Sequence, residues 1–556
     1  MYRAIILKAL KFLLQRGSVI KIKKILLLLI FIFTLNNLRA VPFDMILTGD
    51  PILEDIRFVS LESGIPFLSF SPPLSPYEIR DFIDKIDESK LSDNGKEAYS
   101  RILKRLSPSS RISYSDNRFT LLMDIDFTLE STFRSNTEIS LHPFYPNVTP
   151  LISIPVRLHF KDLIVLYIEP IIAMNSSEYA IDNFGFNIPL GYEKLNHDPP
   201  LRAFAAIGGD CWNFQIGRDR LYWGTSLSGS LTFNDNSQYF DFARLSIFTS
   251  NVKYSFIVNQ LPLRLQKSLF TDDWWTGPGG NGSNVDSSTV MQRYFYLHRL
   301  DFKLFNKVSI ALMEGLLAGN NPFELRYLNP AAIFHAFFAW DDYDKWDIND
   351  GDMIGSFASL EINYNITENL SVYVQWVVNE LTFGGENNLN PNSLAYLAGV
   401  QFAHNFSSWS SLSFLEIIYT DPYFSILSTP YASFIQMDRL GRYYYIGYPR
   451  DTFSISAGTL LKYKDTFNIN INLSWISSGE HGLIWNWEEG QHTMNERTPT
   501  GTAENKFILS LGGGWKVNQW LLLKTNLTGI LSLNNNHISG NNTFGIQAAL
   551  SAGVRF

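Results

Sequence analysis

The chain is short of cysteine, of charge and of long apolar runs. Its one cysteine, Cys211, excludes a disulfide framework and any multi-cysteine metal site. Charged residues make up 18%, against about 25% in an average protein. Mean hydropathy is −0.03, and the only long apolar stretch lies near the N-terminus, so a bundle of membrane-spanning helices is excluded. The nine histidines form no spaced metal motif, and no nucleophile stands with a base and an orienting acid. What is present is 46% hydrophobic residues and 15% aromatics, which excludes disorder. Hydrophobicity spread thinly over many short strands is how an outer-membrane β-barrel is written.

Lys21, Lys23 and Lys24 precede the apolar run Ile25 to Leu35, and Ala40 follows. A charged region, a short apolar region and a small residue make a secretory signal, here 1–40. Those 40 residues hold eight basic and no acidic residues, so the remainder carries 37 basic against 53 acidic, a net of −16. That argues against nucleic acid as a partner. Residues 41–115 read as a short periplasmic helical segment. Ser75 caps a helix with Pro76 at its first position and Glu78 completing a capping box, and Ser92 caps a second. The stretch between Pro42 and Pro72 reads as a short mixed segment.

From residue 116 the period becomes two. Leu121, Met123, Ile125, Phe127, Leu129 and Phe133 share one face, and Leu122, Asp124, Asp126, Thr128, Glu130 and Thr132 the other. Eighteen such strands are expected between about 119 and 556. Tight turns such as Lys161-Asp162, Ser250-Asn251 and Lys464-Asp465 alternate with long loops such as 262–292, 319–352 and 478–504. That alternation is the mark of an outer-membrane barrel, with turns inside and loops outside. The last strand alternates from Phe544 to Phe556 and resembles the C-terminal assembly signal of such proteins. The fold class is therefore all-β, a transmembrane antiparallel barrel with outer-membrane lipids and the barrel assembly machinery as partners. Tyr294, Phe295, Tyr296, Tyr373, Trp376, Tyr419 and Trp520 read as interfacial rings.

Function is sought in the loops. Loop 262–292 carries Trp274 and Trp275. Loop 319–352 carries Asn329, Trp340, Asp341, Asp342, Tyr343 and Trp346, and its apolar part suggests a plug. Rings stack on the C–H faces of sugars while carboxylates and amides accept hydroxyl hydrogens. The Asp341 to Asp352 set matches no EF-hand spacing, so no metal is assigned, and no cofactor is implied. Alternation places Arg218 and Arg220 on the lipid face. Either the strand has left the membrane by Arg218, or Gly217 marks a bulge, and a polar network of Arg218, Asp219 and Arg220 at the mouth is expected. Trp223 follows in the same block.

That block, Gln215 to Gly224 and Ser228 to Asn236, resembles the Wzi family of capsule-assembly outer-membrane proteins. So do Leu297-His298-Arg299-Leu300, Glu314-Gly315 and Leu328-Asn329-Pro330. Gly224-Thr225 departs from the Gly-Pro of that family. The resemblance implies a non-catalytic surface protein that binds or organises capsular or other surface polysaccharide. A porin-like diffusion channel is the alternative, suggested by inner-face charges such as Asp124, Glu130 and Arg157.

Overall fold

The computed structural model describes residues 43–556 apart from 140–148, 162, 176–181, 198–200, 235–238, 262, 265–289, 292, 320–322, 335–353, 382–390, 427–432, 438–442 and 482–495. Among the described residues eighteen strands close into a ring, and the short segments Ile112–Ser115 and Phe184–Phe186 pair on to the same sheet. The eighteen are β1 (Phe119–Met123 and Asp126–Arg134), β2 (Ile152–Ser153 and Val156–Phe160), β3 (Ile164–Glu169 and Ile171–Ile172), β4 (Arg202–Gly209), β5 (Trp212–Asp219), β6 (Phe240–Phe248), β7 (Val252–Gln260), β8 (Arg293–Leu304) and β9 (Val308–Gly319). They continue as β10 (Ile354–Thr367), β11 (Leu370–Glu380), β12 (Ser393–Phe406), β13 (Trp409–Thr420), β14 (Thr452–Tyr463), β15 (Phe467–Ser478), β16 (Glu504–Lys516), β17 (Leu521–Leu533) and β18 (Thr543–Arg555).

Each strand pairs antiparallel with the next. The ring closes where β18 pairs with β1 over nine residue pairs, from Gln547↔Arg134 to Arg555↔Asp126. The backbones of Phe556 and Ile125 then bond to each other in both directions, at 2.9 and 3.2 Å. Closure removes the unpaired edge that no sheet can expose to lipid. Alternation is sustained: on β13, Leu415 and Ile417 are exposed outward while Glu416 and Ile418 are buried inward.

The helical segment lies inside the inner end of the ring. It comprises α1 (Ile52–Ser63), α2 (Pro76–Ile83) and α3 (Asp93–Arg105). The predicted caps are present. Ser75 and Glu78 form the capping box of α2, and the Ser92 hydroxyl accepts from the Gly95 amide at 3.0 Å to start α3. Helix α1 falls within the stretch read as mixed. Its cap comes from outside the helix, where Asp50 accepts from the Ile52 amide, and Gly64 ends it at φ 67°. The three helices share an apolar core of Ile56, Val59, Ile79, Phe82 and Ile102.

Inward side chains then hold this unit to the wall. Lys253 of β7 binds Glu78 at 2.5 Å, and Lys462 of β14 binds Glu54 at 2.8 Å and Asp55 at 3.2 Å. Asn94 donates to Asn405 Oδ1 and to the carbonyls of Ser407 and Trp409, fixing the start of α3 to the β12–β13 turn.

Removing residues 551–556 deletes five of the nine closing pairs. The expected outcome is loss of the compact, heat-modifiable band in unboiled gel electrophoresis, while removal of Phe556 alone weakens that band without abolishing it.

Candidate functional site

Beyond β5 the chain does not rise into an outer loop. It turns into the lumen, where Leu221, Trp223, Leu231 and Phe233 are buried in one core with the inward rings Phe240, Phe242, Phe295 and Phe357. Trp223 has no exposed surface, and its indole N–H donates to the Pro72 carbonyl of the helical segment at 3.2 Å. The Gly224 amide donates to Phe70 at 2.8 Å. The inward loop and the helical unit therefore meet inside the barrel. From the outer end, Phe434, Ile446 and Tyr448 of the 421–451 loop complete the same core. Gly447 is needed there, because a Cβ would stand 2.0 Å from the Leu231 carbonyl oxygen.

Two buried carboxylates fix the turn of this loop. Glu361 of β10 accepts from the Thr225 amide at 3.1 Å and from its hydroxyl at 2.9 Å. Glu416 of β13 accepts from the amides of Leu227 at 2.6 Å and Ser228 at 2.8 Å, and from the hydroxyls of Ser226, Ser228 and Tyr373. The Thr225 carbonyl accepts from Gln401 and Arg57. The departure from Gly-Pro is thus explained: a proline at Thr225 would have no N–H for Glu361. Arg299, fully buried on β8, balances the charge by pairing with Asp301 at 2.7 Å and Glu361 at 3.3 Å.

The outer rim is polar where it is described. Glu496 accepts from Tyr423 at 3.3 Å and lies 2.9 Å from His481. The Asp451 carboxylate accepts from the Thr500 amide and hydroxyl, and its carbonyl accepts from the Gly479 amide at 2.8 Å. The amide and hydroxyl of Thr502 hold the Glu480 carboxyl below the usual carboxylate range, whereas burial pushes Asp421 up. Arginines at this end are already engaged. Arg293 donates to the carbonyls of Leu261, Ser433 and Ile435, and Arg450 to that of Pro422.

The predicted residues are distributed as follows. β5 keeps an unbroken register through Gly217 and contains no bulge, so Arg218 and Asp219 face opposite sides of the wall, while Asp219 Oδ1 accepts from the Arg220 amide at 2.7 Å. Arg218 faces outward and meets its cross-strand partner Asp241 at 2.6 and 2.7 Å, which makes the outward arginine tolerable. Asp219 faces inward, fully buried, with Arg202 at 2.8 Å and Gln215 at 3.2 Å. Arg220 lies past the strand end, its carbonyl accepting from Thr48 and its guanidinium 6.0 Å from the Tyr239 ring. Asn329 is exposed, and its side chain accepts from the Ala331 amide at 3.1 Å. Trp274, Trp275, Trp340, Asp341, Asp342, Tyr343 and Trp346 lie outside the described residues.

The described part of the loop expected to form a plug, 323–334, covers the outside of the wall instead. Tyr327 packs on Tyr296 and Phe334 on His298, both outward on β8. The loop's rings meet apolar residues on the outward face of the wall, Tyr296, Leu316 and Ala318. Two rings expected at the interface are inward: Phe295 belongs to the lumen core, and Tyr373 bonds Glu416. Glu361 and Glu416 were missed. Each is a lone carboxylate between apolar neighbours, Leu360-Glu361-Ile362 and Leu415-Glu416-Ile417, at an inward position in mid-strand.

Comparison with known proteins gives a family. A family model described as capsule assembly protein Wzi matches residues 152–434. A comparison with curated protein sequences finds no match. Among solved structures, the chain is similar to Wzi of Escherichia coli, described as an outer-membrane protein involved in group 1 capsule assembly and a carbohydrate-binding β-barrel. It shares 14% identity and a TM-score of 0.54, covering 91% of this chain and 98% of that one. OccK11 of Pseudomonas aeruginosa shares 10% identity at a TM-score of 0.39, over 78% of this chain and 96% of that one. The match to the family model spans just over half of the sequence, and the chain belongs to the Wzi family of outer-membrane capsule assembly proteins.

Proposed function

We propose that the chain binds surface or capsular polysaccharide on its outer face and helps hold it at the cell exterior, without catalysis. The observation that carries this reading over a diffusion channel is the inward loop held by Glu361 and Glu416, which packs on the wall above the helical unit and occupies space a channel would leave open. The aromatic and acidic loops are then the surface left for a ligand. Trp274, Trp275, Trp340, Asp341, Asp342, Tyr343 and Trp346 would supply stacking faces and hydroxyl acceptors, with Arg220 and Asn329 nearer the wall. Trp223 acts from beneath as part of the scaffold. Residues 1–40 would serve as the export signal, with the barrel assembly machinery inserting residues 116–556 among outer-membrane lipids.

Four outcomes are expected. A strain lacking the protein sheds polysaccharide to the medium and keeps several-fold less on its cells, restored by the wild-type chain; unchanged retention overturns the reading. Wild-type protein gives no stepwise ion conductance in planar bilayers. Glu416→Ala leaves two amides and three hydroxyls without their acceptor, at roughly 1–3 kcal/mol for each group that stays dry, so it lowers the unfolding midpoint and opens measurable conductance. Finally, Trp274→Ala and Trp275→Ala each weaken polysaccharide retention on an affinity column, by about 1 kcal/mol or roughly fivefold per ring.

A further inference from the structure

The inner end of the barrel holds a buried lysine, Lys303, with no ion-pair partner among the described residues. Lys303 is the inward residue two positions beyond Asp301 on β8, and only 8% of it is exposed. Among the described residues no carboxylate lies within ion-pair distance of its ammonium, which stands 5.9 Å from the Phe82 ring centre. The nearby acids are engaged elsewhere. Glu78 is held by Lys253 and by the Ser75 amide, and Asp301 by Arg299. The neighbouring charge is a second cation, Lys85, whose ammonium donates to the Ser250 carbonyl at 2.6 Å and to Asn251 Oδ1 at 2.8 Å. Asp81 accompanies Lys85.

Burying a lone ammonium costs several kcal/mol unless something pairs with it. The side chain lines a cleft at the inner mouth, bounded by Phe67, Ser69, Phe82, Phe248 and Thr249, with the carboxylates of Glu78, engaged by Lys253, and Asp81, beside Lys85, on its wall. The helical unit supplies one wall and the β6–β7 turn the other, so the cleft faces the side of the barrel where the short turns lie. It is too tight for a sugar ring. It has room for a single oxygen atom.

We propose that Lys303, with Lys85 at the rim, forms a periplasmic oxyanion site that takes a phosphate or carboxylate group. It is separate from the outer face on which polysaccharide binding is proposed. An oxyanion seated there touches both α2 and the β6–β7 turn, and so ties the helical unit to the wall.

The test uses the full chain in uncharged detergent, with the unfolding midpoint followed by tryptophan fluorescence. At matched ionic strength, phosphate or acetate in the tens of millimolar should raise the wild-type midpoint by about 1–2 °C relative to chloride. Lys303→Met should abolish the rise, Lys303→Arg should keep it, and Lys85→Ala should shift the response to severalfold higher anion. Should Lys303→Met fail to fold, Lys303→Arg and Lys85→Ala still report on the site. A wild-type midpoint that responds alike to phosphate, acetate and chloride overturns the proposal, as does an undiminished rise in Lys303→Met. In nanodiscs, stabilisation by phosphatidylglycerol over phosphatidylcholine, in a protein that also answers to phosphate, assigns the group to a lipid headgroup. Stabilisation by free phosphate in phosphatidylcholine discs assigns it to a soluble anion.

Discussion

Two buried carboxylates, Glu361 and Glu416, decide what kind of barrel this is. A ring of eighteen strands is wide enough to hold water unless something fills it. The β5–β6 loop does the filling, and its turn would leave several amides and hydroxyls in a dry interior without these two acceptors. Charge-assisted bonds to backbone N–H groups suit that task, being shorter and stronger than neutral ones. Around the fixed turn the apolar part of the loop can then bury Trp223 and Phe233 against the wall.

The helical unit depends on the same arrangement. Its upper surface, from Phe67 to Pro72, is where the inward loop bonds through Trp223 and Gly224. Its sides are held by inward lysines, Lys253 and Lys462, each matched to an acid on a helix. A buried pair of this kind adds little net stability over a hydrophobic contact, but losing either partner strands a charge. It therefore specifies where the unit sits more than how tightly. Wall, loop and helices are one interior, and the aromatic core of the barrel is continuous from Phe424 near the rim to Trp223 above the helices.

Much of this was legible in the sequence. Period-two alternation located the strands, tight turns gave their pairing order, and the Ser75 and Ser92 caps located α2 and α3, because each is a local signal with a local cause. Helix α1 was not legible, since its cap is Asp50 ahead of a proline and its face is read only by the helices it packs on. The filled lumen was half legible. In Tyr294-Phe295-Tyr296-Leu297 both faces are apolar, the pattern of a strand covered on both sides. Which segment covers each face is a long-range matter: the β5–β6 loop inside, residues 323–334 outside. Arg218 shows the same limit. Alternation placed it outward correctly, but its acceptance there rests on Asp241, 23 residues away and reached only through the pairing of β5 with β6.

The closure of β18 on β1 imposes an order of events. Phe556 follows directly on β18, and its backbone bonds seal the ring at Ile125. The helical unit, made before any strand, has a core largely its own. A finished ring with the β5–β6 loop seated inside offers no route for three packed helices to enter from the outer side. The unit must be in place while the seam between the first and last strands is still open, or enter from the inner end before its lysine contacts form. On either route the contents of the barrel are set before its inner end is sealed by the contacts of Lys253 and Lys462.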